Sequence, residues 1–114
     1  MRYGIPVLSE KDIEDIRKDP DNQNWNYLSE YNLSEEFMRE FQDKIYWFAV
    51  CYYHSLSEEF ILEFQDKLGW LNISRYQALT KEFIAHNFNR LTVSFMLKNI
   101  TLSDKIKEFC RMFL

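Results

Sequence analysis

The string LSEEF stands at Leu33 to Phe37 and again at Leu56 to Phe60, and its echoes LTKEF from Leu79 and LSDKI from Leu102 continue the same step of 23 residues. A tandem repeat of that period is one small supersecondary unit copied along the chain. Each copy is too small to bury its apolar face alone and covers it against its neighbours. Full copies run over residues 33–55, 56–78 and 79–101, and a truncated one over 102–114. Residues 8–32 form a divergent first copy: LSEKDI from Leu8 and WNYLSEY from Trp25 fit the pattern, but DPDNQN interrupts it and the step to the next copy is 25. An atypical terminal copy with a more polar outer face suits the end of a stack.

Within a copy, Leu33, Phe37, Phe41 and Ile45 recur every four residues, as do Leu56, Phe60, Phe64 and Leu68. That spacing marks one apolar stripe on a helix. Ser34, Ser57, Thr80 and Ser103 precede the stripe with acids behind them, so each hydroxyl is placed to accept from an otherwise unpaired N–H of the first turn. Leu33 with Met38, Leu56 with Ile61 and Leu79 with Ile84 have the spacing of a hydrophobic staple. A shorter helix follows, with Trp47, Val50 and Tyr53 in one copy and Trp70, Ile73 and Tyr76 in the next. Gly69 is a candidate turn residue between the two helices. With only two Gly and two Pro in 114 residues, the chain has few breaks for a β fold. The expected fold is all-α, one domain over residues 1–114 of short αα-hairpin repeats of 23 residues stacked as a small solenoid.

At these residues the chain resembles a known family. LSEEFMREFQDKIYW from Leu33 and LSEEFILEFQDKLGWLNISRYQ from Leu56 are similar to the LSEEFI…EFQDKVxWxxISxYQ repeats found in tandem in proteins of giant DNA viruses, bacteriophages and some bacteria. Two copies match closely and the third loosely, departing at Asn87 where the pattern has Phe and at Val93 where it has Trp. The resemblance implies a viral or mobile-element origin and a non-enzymatic protein that works by interaction.

The residues carry no catalytic constellation. His54 and His86 are the only imidazoles, and His86 sits where sister copies have Glu40 and Glu63, a solvent-facing position with no neighbouring ligand set for a metal. Neither a phosphate-binding Gly-rich loop nor a nucleophile elbow is present. Cys51 and Cys110 fall in apolar helical segments and read as small, reduced hydrophobes of a cytoplasmic protein. No enzyme activity, cofactor, metal site or membrane span is expected.

Charge is uneven. Residues 1–69 hold 7 Lys/Arg against 15 Asp/Glu, and residues 70–114 hold 7 against 3. An acidic end of this kind suits a basic surface on a host protein. Copy-to-copy comparison separates scaffold from variable positions: Tyr46, Phe48, Tyr52, Arg75 and Lys98 change between copies while the Leu and Phe stripe does not, and Tyr and Arg are typical interface anchors. These five are the expected partner-binding residues. Lys44, Lys67 and Arg90 form a ladder expected to stabilise helix C-termini. Phe109, Met112 and Phe113, near an end with no further copy, are candidates for self-association as a homodimer. Thus the sequence favours a protein-binding module, such as an inhibitor of a host defence nuclease complex. The rivals are a self-assembling structural repeat and a nucleic-acid binder using the basic C-terminal half, and the acidic total counts against the latter.

Overall fold

The computed structural model describes residues 7–112. Among these, the chain is all-helical, with ten short α-helices and one isolated parallel bridge between Val7 and Asn32. It divides into two compact units, Met1–His54 and Ser55–Leu114. The division falls one residue before the boundary between the first two full copies.

The first unit holds α1 (Glu10–Lys18), a 3-10 turn (Pro20–Asn22), α2 (Trp25–Leu28), α3 (Glu35–Glu40) and α4 (Trp47–Tyr53). In the second are α5 (Glu58–Glu63), α6 (Gln65–Leu68), α7 (Trp70–Tyr76), α8 (Lys81–His86), α9 (Val93–Met96) and α10 (Asp104–Arg111). Helix starts fall where the hydroxyls stand. Ser34, Ser57, Thr80 and Ser103 each accept from the backbone N–H three residues on, at 3.0, 3.1, 3.1 and 3.2 Å. Ser9 extends the series at the head of α1, where the Asp12 carboxylate also accepts from the Ser9 N–H. Hydrogen bonding from the Ser9 N–H first, and from its hydroxyl second, holds the Asp12 carboxyl below its ordinary range.

The apolar stripe is buried as its spacing demands, but it does not ride on one long helix. α3 stops at Glu40 and α5 at Glu63, and Phe41, Ile45 and Phe64 are buried from the turns that follow or between helices. The repeated Gln and Trp satisfy the backbone there. Gln42 Nε2 donates to the Arg39 carbonyl and Trp47 Nε1 to that of Gln42. In the next copy, Gln65 Nε2 donates to Leu62 O and Trp70 Nε1 to Gln65 Oε1. The third copy has Phe88 and Val93 at those positions. Its Asn87 takes over, buried with Nδ2 on Phe83 O and Oδ1 accepting from Arg90. Gly69, at φ +83°, joins α6 to α7 in a conformation that a side chain resists; Tyr46 and Thr92, at the equivalent places, are extended.

In the first unit Trp25 lies over Phe37 and Phe41, with centroids 6.2 and 5.1 Å away. Two ion pairs link the divergent copy to the next one: Arg17 with Glu40, bidentate at 2.7 and 2.9 Å, and Lys44 with Asp21. The guanidinium holds the Glu40 carboxyl below its usual range. In the second unit α7 packs on α9, and α10 on both α8 and α9. The Glu58 carboxylate accepts from the N–H and hydroxyl of Thr80, tying the start of one copy to the start of the next.

Candidate functional site: the outer face of α4

α4 has the sequence WFAVCYY and carries no charge. Ala49, Val50 and Cys51 point inward and are buried. The helical turn then sends Phe48 and Tyr52, four residues apart, to the outside. Tyr46, the extended residue ahead of the helix, adds a third ring. These side chains are 47 % (Tyr46), 42 % (Phe48) and 42 % (Tyr52) exposed. Centroids lie 6.1 Å apart from Tyr46 to Phe48 and 6.1 Å from Phe48 to Tyr52, and Tyr53 meets Tyr52 edge-on at 4.9 Å. The row is therefore a continuous run of neighbouring, part-exposed rings.

A fully buried serine fixes both ends of α4. Ser29 Oγ donates to Trp25 O and accepts from the Tyr46 N–H at 2.8 Å. The carbonyl of the same residue takes a bond from His54 Nε2 at 2.8 Å, which places the ring proton on that nitrogen. Flanking Ser29 in the chain are Tyr27, which is exposed, and Tyr31, their rings edge-on at 5.2 Å. A hydrogen bond shared with the Tyr27 side chain favours the protonated Tyr31 phenol and pushes it above its ordinary value. This pair is absent from the residues expected from the repeat. Its spacing of four within WNYLSEY was the available signal, hidden because the segment belongs to the divergent copy.

Of the five expected binding residues, Tyr46, Phe48 and Tyr52 thus come together. Arg75 and Lys98 lie in the other unit. There Arg75 stands between two rings, 5.2 Å from the Tyr76 centroid and 5.1 Å from that of Phe95. Lys98 is exposed just beyond α9, its N–H donating to Phe95 O. Ser74 there repeats the role of Ser29, donating to Trp70 O and accepting from the Thr92 N–H at 2.9 Å. Asn99 matches His54 by bonding to the Ser74 carbonyl.

The ladder differs from expectation at two rungs. Lys44 is paired to Asp21, and Arg90 lies over the Trp70 ring at 5.8 Å while donating to Asn87. His86 is exposed, with Nδ1 donating to Glu82 O. Cys51 and Cys110 are both buried as thiols, and burial pushes the Cys110 thiol up. At the C-terminal end Met112 is 77 % exposed, whereas Phe109 is half-buried with the Lys81 ammonium 5.9 Å from its centroid. Phe113 lies outside the described residues. Lys107, half-buried, occupies the place where earlier copies bury Met38, Ile61 and Ile84. No described helix is long and apolar enough to cross a membrane.

Comparison with protein-family models, curated proteins and solved structures found no match.

Proposed function

We propose that this chain is a non-enzymatic protein-interaction module, a stack of 23-residue αα-hairpin copies whose working surface is centred on Tyr46, Phe48 and Tyr52. The observation that carries this reading is the row of three contiguous exposed rings on a helix whose inner face is buried and whose ends are both tied to Ser29. Rings held in place before binding lose little freedom when a partner covers them, and aromatic residues at the centre of an interface dominate its energy. Arg75 and Lys98 are further contact residues of this reading, carried by the second unit. The stacked architecture is supported by hydroxyl caps that recur every 23 residues from Ser34 to Ser103 and by bonds joining corresponding parts of successive copies within each unit. The likeness of the LSEEF copies to viral and phage tandem repeats supports a viral or prophage-encoded binder. Its partner is then a host protein in the host cytoplasm, a defence nuclease complex being the most concrete version.

Alanine at Tyr46, Phe48 and Tyr52 together should weaken capture of the host partner at least about tenfold with the melting temperature nearly unchanged, because truncated aromatic anchors each cost about 2 kcal/mol or more. Capture by the triple variant at the parent level would remove the α4 face from the interface. Self-association is the second reading, favoured by the exposure of Met112 beside Phe109. Light scattering on the same samples distinguishes a dimer from a monomer that meets only the host protein.

A further inference from the structure

The α4 rings lie in the more acidic of the two units. Residues 1–54 hold 6 Lys/Arg against 11 Asp/Glu, while residues 55–114 hold 8 against 7. The first unit thus carries five more acids than bases. Two exposed acids stand close to the rings along the chain. Asp43 lies three residues before Tyr46, and Glu30 follows the serine that accepts the Tyr46 N–H. The helix itself brings no charge to this face. Aromatic faces attract cations through their quadrupole, and acids at their rim strengthen the attraction. The second unit uses rings this way repeatedly: Arg75 on Tyr76 and Phe95, Arg90 on Trp70, Lys81 on Phe109.

Building on the protein-binding reading above, we infer that the segment of the partner seated on Tyr46, Phe48 and Tyr52 is basic and rich in arginine. Guanidinium planes stack on the rings, and Glu30 and Asp43 face the remaining positive charge at the rim. An uncharged proline-rich segment also fits aromatic surfaces, but it leaves the acid surplus without a counterpart. A nucleic acid would be repelled by it.

Fluorescently labelled Arg-Ser, Pro-Ser and Glu-Ser repeat peptides of about twelve residues, titrated against the full chain by anisotropy, separate these cases. The Arg-Ser peptide should bind at least about tenfold more tightly than the other two at about 50 mM salt, and lose most of that advantage at about 500 mM. Its affinity should fall about tenfold in Phe48→Gln/Tyr52→Gln and about threefold or more in Glu30→Gln/Asp43→Asn, with the melting temperature of each double variant measured alongside. Equal binding of Pro-Ser or Glu-Ser, or Arg-Ser binding indifferent to both double variants, would overturn the inference. A host partner captured through the three rings but contacting them with a neutral segment would defeat this inference alone. Loss of ring dependence in host capture would defeat the broader reading instead.

Discussion

Phe60→Ala should cost about 3–5 kcal/mol of folding stability, the largest effect expected of any single truncation in this chain. Phe60 is fully buried, its ring 4.7 Å from that of Phe64, and it occupies the position held by Phe37 and Phe83 in the neighbouring copies. Removing it takes away the transfer free energy of the ring and leaves a cavity between elements too short to collapse around it. Urea denaturation followed by circular dichroism measures the loss. A change below about 1 kcal/mol would mean that the stripe is not the core.

Asn99→Ala should cost about 2–4 kcal/mol, through hydrogen bonds rather than volume. This buried amide donates to the carbonyls of Ser74 and Gln77 at 3.0 and 2.9 Å and accepts from the N–H and hydroxyl of Thr101 at 2.9 and 2.6 Å. Without it, each of these two carbonyls loses a donor. Ile100, the next residue, is 95 % exposed, and Ile100→Ser should change stability by less than about 0.5 kcal/mol. If the same denaturation experiment gave both variants equal losses, Asn99 would not hold the third copy to the second.

The contrast between these neighbours shows what the sequence made legible. Helix starts were readable because a hydroxyl and the N–H three residues on belong to one short stretch of chain. The buried stripe was readable because its period survives the break after Glu40, where the turn keeps Phe41 and Ile45 in step. That same continuity concealed the break. The Gln and Trp of each copy read as scaffold, whereas they also close the backbone at the helix ends. Alignment by copy puts Ile100 opposite His54 and Gln77, yet Asn99 makes the inward bonds. This shift of one position depends on carbonyls 25 and 22 residues back, which no local pattern encodes. Among the candidate residues, Tyr46, Phe48 and Tyr52 emerged from their variation between copies. Tyr27 and Tyr31 did not, because the DPDNQN interruption takes their segment out of the 23-residue step along which the copies align.

The most direct test of the proposed binding face is a photo-crosslinking amino acid placed at Phe48, with a control at Leu62, an exposed apolar residue of α5. After irradiation in host extract, the proposal predicts one discrete protein adduct from position 48, abolished by adding Tyr46→Ala and Tyr52→Ala, and no matching adduct from position 62. Equal adducts from both positions, an adduct with nucleic acid, or none at position 48 while the chain still captures its partner would contradict it.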